Sequence, residues 1–247
     1  MEPSEPTSNI RVCADAEGVA KAVARRFAEM ARACVSERGS FSVALAGGTT
    51  PKRVYELLAG DEFRAEVPWE NVHVFFGDER CVPPDHDDSN YRMAHEALLS
   101  RVPLPEKNIH RMRGEGDAAA NASLYEDELR AYFGDSEWPR LDVVMLGMGD
   151  DGHTASLFPS TTALEERRAW VVANWVEKFN TWRITLTAPA INRARHVLFT
   201  VTGAGKADRL REVLRGESDP ERLPSQLVRP AGGALEWFVD KAAAAKL

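Results

Sequence analysis

One apolar segment that ends in glycines, carboxylates and a histidine restricts the possible folds more than any other part of the sequence. The segment LDVVMLGMGDDGHTASLFP runs from Leu141 to Pro159. Its apolar half has the length and the glycine boundary of a strand buried in a parallel sheet. Ligands of open α/β sheets bind beyond the carboxyl ends of the strands, so we expect His153 to face a ligand crevice.

Similar apolar stretches recur along the chain and alternate with amphipathic helical ones. Strands are predicted at residues 41–46, 72–76, 141–146, 169–173, 183–187, 197–202 and 234–239. Helices are predicted at residues 16–37, 51–58, 89–99, 118–133 and 206–214. Such alternation is typical of crossover units, and it predicts an α/β fold with a mostly parallel sheet covered by helices on both faces.

The length of 247 residues fits one large domain. We expect a single α/β catalytic domain at residues 10–247, preceded by a disordered N-terminal tail at residues 1–9. That tail has neither the basic start nor the apolar stretch of a signal peptide, so export is not expected. No apolar run approaches the ~18 to 20 residues of a membrane span, so no membrane partner is predicted.

Charge and cysteine content narrow the possible partners further. A formal net charge of -7 offers no basic face for a phosphate backbone, so nucleic acid is not an expected partner. Cys13, Cys34 and Cys81 are an odd number of cysteines without a CxxC pair. This pattern argues against a disulfide framework and a structural zinc site, and it favours a reducing, cytoplasmic location.

A glycine-rich turn before a predicted helix is typical of anion binding. Gly47, Gly48 and Thr49 follow the strand at 41–46, and Pro51 suits the first turn of a helix. The amides at a helix start point at a ligand, and the helix dipole favours negative charge there. A phosphate monoester is the expected ligand, and a plain tight turn is the alternative. The turn lacks the lysine of a nucleotide-triphosphate loop and the GxGxxG spacing of a dinucleotide site.

Three cations stand at the ends of predicted elements, where they can reach the same crevice. Arg80 follows the strand at 72–76, and its guanidinium can hold a phosphate through two hydrogen bonds. Arg183 begins another strand, with a solvated strand-edge charge as the alternative interpretation. Lys206 opens a helix, where the dipole disfavours a cation unless an anion lies beside it. We therefore expect an anionic ligand near Lys206.

The acidic loop at residues 85–88 contains three aspartates and a histidine. Oxygen ligands of this kind can bind a hard cation, but the loop leads directly into Ser89, a typical helix cap. Carboxylates beside a helix start also compensate the helix dipole. We therefore interpret the loop as solvated, and no metal site is predicted.

His153 is the side chain best suited to acid–base chemistry. A neutral imidazole accepts a proton near pH 7 without strong tuning by its environment. Asp150 or Asp151 would orient the ring or hold a substrate hydroxyl, and Asp151 is counted with His153 as a catalytic candidate. The structural alternative is a histidine that caps a turn, but the strand and glycine context favours a functional role.

Taken together, these segments resemble the 6-phosphogluconolactonase family over nearly the whole chain. The resemblance is carried by AGGTTP at 46–51, FFGDERCVPPDHDDSNYRMA at 75–94, LGMGDDGHTASLFP at 146–159, RITLT at 183–187, GAGKA at 203–207 and LPSQLVRPAGGALEWFVD at 223–240. It implies a sheet similar to that of glucosamine-6-phosphate deaminase and ribose-5-phosphate isomerase. It also implies a cofactor-free and metal-independent lactonase of the oxidative pentose phosphate pathway, which hydrolyses 6-phospho-D-glucono-1,5-lactone to 6-phospho-D-gluconate.

The resemblance also implies roles for particular residues. The general base of the family falls on His153. Its phosphate-holding residues fall on Gly47, Gly48, Thr49, Arg80, Arg183 and Lys206. The chain departs from the family pattern at Ala46 and Thr49, where serines are common, and at EKFNTW, residues 177–182, which replaces a more proline-rich stretch.

Two other functions remain open from the sequence. A sugar-phosphate isomerase or deaminase would use a similar sheet, but the deaminase pattern continues after the histidine toward Phe-Asn-Glu-Pro, and residues 154–159 here read TASLFP. A non-catalytic sugar-phosphate sensor would carry a DNA-binding helix pair, and no such segment precedes the domain. A monomer or weak homo-oligomer is expected.

Overall fold

The computed structural model describes residues 9–247, in which strands and helices alternate. The strands are β1 (Asn9–Cys13), β2 (Phe41–Leu45), β3 (Val72–Phe76), β4 (Asp78–Arg80), β5 (Val143–Gly147), β6 (Val171–Val176), β7 (Thr181–Leu186), β8 (His196–Val201) and β9 (Ala234–Asp240). The α-helices are α1 (Ala16–Arg38), α2 (Thr49–Leu58), α3 (Asp61–Arg64), α4 (Asn90–Ala94), α5 (Ala118–Phe133), α6 (Ala188–Ile191) and α7 (Ala207–Arg215). All seven predicted strands and all five predicted helices have counterparts in these elements.

A parallel sheet of six strands forms the centre of the fold, in the order β1-β9-β8-β5-β2-β3. Every residue of β2 is buried, which is typical of a parallel strand covered on both faces and explains its continuous apolar sequence. The predicted α/β fold with a mostly parallel sheet is confirmed. β3 and β5 lie on opposite sides of β2, so the strand order reverses there and opens a crevice at the carboxyl ends of β2 and β5.

A second, antiparallel sheet has the order β4-β7-β6. The sequence analysis did not separate β6 and β7 from the parallel strands. Their connection is a short turn at residues 177–180, and a turn of this length joins only antiparallel neighbours. β1 and β4 were also not predicted, because β1 lacks a buried apolar face and β4 has three polar residues.

The predicted tail at residues 1–9 lies outside the described residues except for Asn9, which begins β1 and pairs with Glu236 of β9.

The first long helix, α1, is delimited by clear end signals. The carboxylate of Asp15 accepts a hydrogen bond from the Gly18 amide, and Gly39 ends the helix in the left-handed conformation with φ 80°. Within residues 9–247, no helix is both long and apolar enough to cross a membrane.

A buried carboxylate joins three elements at the amino end of the sheet, opposite the crevice. One oxygen of Asp142 accepts hydrogen bonds from the amide and the hydroxyl of Ser42, at 2.9 and 3.0 Å. Its other oxygen lies 2.8 Å from Arg38 Nη2 and 3.3 Å from Arg195 Nε. Asp142 therefore links the end of α1, the start of β2 and the segment before β8.

We predict that Asp142→Asn destabilises the protein by about 2–4 kcal/mol, because it leaves buried donors and a guanidinium without their anion. Urea unfolding measures the change. The control is Glu37→Gln, which removes the other partner of Arg38, a carboxylate whose side chain is 67% exposed. That control is expected to stay within about 0.5 kcal/mol of the wild type. Equal unfolding midpoints for the two variants would contradict the assigned role of Asp142.

Candidate active site

A cavity of about 270 Å³ opens at the carboxyl ends of β2, β5 and β8. It lies where the strand order reverses, as expected for a ligand site in this fold class. The structure brings most of the sequence-predicted site residues to its wall. Those that line the cavity are Gly47, Gly48, Thr49, Arg80, His153 and Lys206.

His153 lines this cavity and forms a direct pair with Asp151, which does not itself line it. The Nδ1 atom of His153 lies 2.5 Å from Asp151 Oδ1, and the His153 amide donates to the same oxygen at 3.2 Å. The second oxygen of Asp151 accepts a hydrogen bond from Lys178 Nζ at 2.9 Å. Burial opposes ionisation of Asp151, but the bonds from His153 and Lys178 hold the pKa of this carboxyl well below its ordinary value. Asp151 is therefore an anion that fixes Nδ1 as the protonated ring nitrogen and leaves Nε2 as the acceptor.

The loop after β5 holds the His153 ring through close packing. Phe158 stacks on the ring with the centroids 4.0 Å apart and the planes at 23°. Gly149 lies against the edge of the ring that carries Nδ1, where an added Cβ would approach His153 Nδ1 to 2.0 Å. Only glycine allows this approach. Gly152, with φ 83°, forms the turn after which the His153 ring lies against Gly149.

Several amides of this loop already have acceptors. The Gly149 amide donates to the His153 carbonyl at 2.9 Å, and the Gly152 amide donates to the Gly149 carbonyl at 3.1 Å. The His153 amide is bonded to Asp151, as described above. Within residues 149–153, the amides of Asp150 and Asp151 are the ones without an acceptor.

The glycine-rich turn supplies the amides of a helix start on the other side of the cavity. Gly48 takes φ 106° immediately before α2, and no side chain caps the first turn of that helix. Gly47 packs so closely against Asn90 that a Cβ would lie 2.0 Å from its Oδ1 atom. The exposed amides and the positive end of the α2 dipole make this wall attractive to an anion.

Arg80 and Arg183 lie directly opposite each other across β4 and β7. Like charges at such a position repel unless an anion lies between them. Arg80 Nη1 donates to the Asp88 carbonyl at 2.5 Å, but within residues 9–247 neither Nε atom has a partner, although both are buried. Burial, and after it the Arg80 guanidinium, lower the pKa of Arg183. Arg80 lines the cavity, whereas Arg183 is not among the residues that line it.

Lys206 has a carboxylate partner within the protein itself. Its Nζ atom lies 2.5 Å from Asp150 Oδ1, and this contact lowers the pKa of Asp150. The position of Lys206 at this helix start therefore does not by itself require an anionic ligand, because Asp150 supplies a negative charge. The structure also separates the two aspartates: Asp151 contacts His153, and Asp150 contacts Lys206.

The acidic loop at residues 85–88 leads into α4, as the sequence suggested. Ser89 caps this helix by accepting a hydrogen bond from the Arg92 amide. The buried carboxylate of Glu79 accepts further bonds from the amides of Asn90 and Tyr91 at 2.7 and 2.8 Å, which ties α4 to β4. Within residues 9–247, no group of three or more His, Cys, Asp or Glu side chains is placed to hold a metal ion.

Sequence reasoning missed three residues of the site. Asp78 lines the cavity and accepts hydrogen bonds from Ser156 Oγ at 2.6 Å and from Asn90 Nδ2 at 3.4 Å. Asn90 itself packs against Gly47. Lys178 reaches Asp151 from the β6–β7 turn. Position after a strand was the available signal for Asp78, but nothing local distinguished Asn90 or Lys178 from surface polar residues.

The fold and this site define an α/β protein with a His–Asp pair beside an anion-attracting cavity. Comparison with known proteins narrows this class. The profile of the family described as glucosamine-6-phosphate isomerases/6-phosphogluconolactonase matches residues 14–237. The chain belongs to this family, so the resemblance seen in the sequence and the prediction that the chain is an enzyme of this kind are confirmed.

Individual relatives agree with the family assignment. A 6-phosphogluconolactonase of Synechocystis sp. is 46% identical over 217 residues, which cover 86% of this chain and 87% of the relative. The structure of 6-phosphogluconolactonase from Trypanosoma cruzi matches with a TM-score of 0.88 at 29% identity, covering 100% of this chain and 99% of that one. A monomeric glucosamine-6-phosphate deaminase, at 20% identity, shares the fold with a TM-score of 0.81 over 97% of this chain and 100% of that one.

We predict that Gly149→Ala separates His153 from Asp151, because the new Cβ would occupy the position of the ring. Nitrogen NMR of the imidazole checks this through loss of the hydrogen-bonded Nδ1 proton. The control is Gly77→Ala, another glycine after a strand, where an added Cβ meets only Leu45 O at an ordinary 3.5 Å. An unchanged His153 spectrum in Gly149→Ala would show that the loop adapts and that the close approach is not required.

Proposed function

We propose that the chain hydrolyses 6-phospho-D-glucono-1,5-lactone to 6-phospho-D-gluconate without a metal or cofactor. The similarity to 6-phosphogluconolactonases over most of the chain supports this substrate. The observation that carries the proposal is the contact between His153 Nδ1 and an ionised Asp151 at the wall of a cavity that also presents Arg80 and an uncapped helix start. We further propose a cytoplasmic protein that is a monomer or weak homo-oligomer.

In the proposed reaction, His153 acts as general base toward water. Nε2 accepts a proton while the water oxygen attacks C1 of the lactone, and the electron pair of the carbonyl moves onto its oxygen. The C1–O5 bond then breaks as the carbonyl re-forms, and O5 takes the proton back from the imidazolium. Asp151 keeps the ring in the required tautomer and stabilises the transient positive charge, the task of an orienting carboxylate.

The phosphate of the substrate would lie between the glycine-rich turn and the two arginines. Amides at Gly47, Gly48 and Thr49 supply donors, and the helix dipole adds positive potential. Arg80 would bind the phosphate directly, and its neighbour Arg183 would reinforce the positive charge from behind. Lys206 reaches the same cavity and would exchange part of its contact with Asp150 for the substrate.

The negative oxygen that forms on C1 requires donors that are already in place. The amides of Asp150 and Asp151 are proposed for this role, because the other amides of the loop have acceptors within the protein. This narrows the set of donors that the sequence left open. The lactone also opens without a catalyst, so a general base and a positioned substrate together suffice for a useful rate.

The deaminase alternative is disfavoured by one side chain. The deaminase pattern places a glutamate before the proline of the segment, and this chain has Phe158 before Pro159. Phe158 stacks on the His153 ring and brings no second carboxylate to it. Release of ammonia from glucosamine 6-phosphate would restore that alternative. A sugar-phosphate sensor would bind the substrate without accelerating its opening.

We predict that His153→Ala lowers kcat by about 10² to 10⁴, because the water loses its base while the binding wall stays intact. Acid release from freshly generated 6-phosphogluconolactone measures the rate, with the spontaneous rate subtracted and the unphosphorylated lactone as control substrate. A His153→Ala variant that retains the wild-type kcat would exclude the general-base role. A wild-type protein that fails to accelerate the reaction would exclude the proposed function altogether.

We predict that Arg80→Ala raises KM about tenfold or more and changes kcat less, since a charged hydrogen bond to the phosphate is lost in both ground and transition states. Arg183→Ala should raise KM to a smaller extent, because Arg183 does not line the cavity. Steady-state kinetics measures both. Arg64→Ala, on the exposed side of α3, is the control. A fall in kcat at unchanged KM would contradict the phosphate role.

A further inference from the structure

The turn between β6 and β7 reaches the catalytic pair from outside the parallel sheet. It consists of residues 177–180, a short 3₁₀ turn closed by Asn180 in the left-handed conformation with φ 50°. Lys178 Nζ lies 2.9 Å from Asp151 Oδ2, the oxygen that does not face His153. The next residue, Phe179, packs edge-on against Phe158, with ring centroids 5.7 Å apart. The turn therefore contacts both of the groups that hold the His153 ring.

The two oxygens of Asp151 contact different groups. Oδ1 faces the imidazole at 2.5 Å, and a carboxylate at this distance favours a protonated ring. A general base must be unprotonated, so this attraction works against catalysis on the acid side. The Lys178 ammonium, which donates to Oδ2, partly neutralises the carboxylate and also repels a protonated ring. It thus offsets the effect of the carboxylate without breaking its hydrogen bond to Nδ1.

Most other charged groups around the cavity have their own partners. The exception is Arg183, whose Nε atom has no partner in the described part of the chain and whose Cζ atom lies 5.4 Å from the centroid of the Phe179 ring. On the loop after β5, Asp150 pairs with Lys206 from the start of α7, and Arg209 of α7 donates to the Asp150 carbonyl at 3.0 Å. On β4, Asp78 accepts bonds from Ser156 and Asn90, while Arg80 donates to the Asp88 carbonyl. Glu177 of the turn accepts from Trp175 Nε1. Within residues 9–247, Lys178 is the one charged side chain besides His153 that contacts Asp151.

We propose that Lys178 is a positioning residue, which acts through Asp151 to keep His153 unprotonated for the attack on the lactone. This inference rests on the proposed function of the site, in which His153 is the base. It assigns a role to a residue of the EKFNTW stretch, where the chain departs from the family pattern.

The test compares Lys178→Met with Lys178→Arg, which keeps the charge, and with Lys21→Met, which removes an exposed charge from α1. The pH profile of kcat/KM is measured for each. Because the ammonium is 56% exposed and partly screened, we expect the acid limb of Lys178→Met to move up by about half a pH unit. That shift lowers kcat/KM about threefold at low pH. At high pH the rate should stay close to that of the wild type. Lys178→Arg and Lys21→Met should keep the wild-type acid limb.

A double variant distinguishes action through Asp151 from direct contact with the substrate. If Lys178 acts mainly through Asp151, Lys178→Met should shift the acid limb less in an Asp151→Asn background than in the wild type. A higher KM with an unchanged pH profile would show that Lys178 binds substrate instead, and would overturn the inference. An unchanged profile and rate in Lys178→Met would overturn it as well.

An activity-free measurement separates this inference from the proposed function. The imidazole resonances of His153 are followed by NMR during pH titration of the wild type and of Lys178→Met. A higher titration midpoint in the variant supports the electrostatic effect even if the lactone is not the substrate. Equal midpoints in both proteins contradict the effect even if the wild type is an active lactonase.

Discussion

The reversal of strand order beside β2 is the constraint on which the rest of the site depends. Because β3 and β5 lie on opposite sides of β2, the loops after β2 and β5 diverge and a gap opens between them. One wall of this gap presents the amides of a helix start, and the other presents His153. A parallel sheet without this reversal would place helices across the same position.

The small antiparallel sheet completes the site from the side. It supplies Arg80 from β4, Arg183 from β7 and Lys178 from the turn that joins β7 to β6. The opposed arginines are electrostatically unfavourable in the absence of an anion, so part of the folding free energy is spent on holding them together. In the proposed function, the two cations are held in place before the anionic substrate binds, which would reduce the reorganisation that accompanies binding.

The sequence predicted the parallel core and much of the cavity wall because both follow from local patterns. Buried strands are continuous apolar runs, and the residues after them face the crevice, so His153, Gly47 and Arg80 could be placed from position alone. The pairing of Arg183 with Arg80 and of Lys206 with Asp150 could not be predicted, because each pair joins residues far apart in sequence. The antiparallel pairing of β6 and β7 was not predicted, because the two strands are apolar enough to resemble parallel ones.

The buried carboxylate of Asp142 and its hydrogen-bond partners lie at the amino end of the sheet, and the cavity lies at the carboxyl end. The length of the central strands thus separates the residues that secure the fold from those proposed to perform the chemistry. In enzymes, gains in thermal tolerance are often offset by slower turnover when both properties depend on the same residues. Substitutions around Asp142 are expected to change stability without touching the residues that line the cavity, so the amino end of the sheet is a suitable region for engineering a more robust protein.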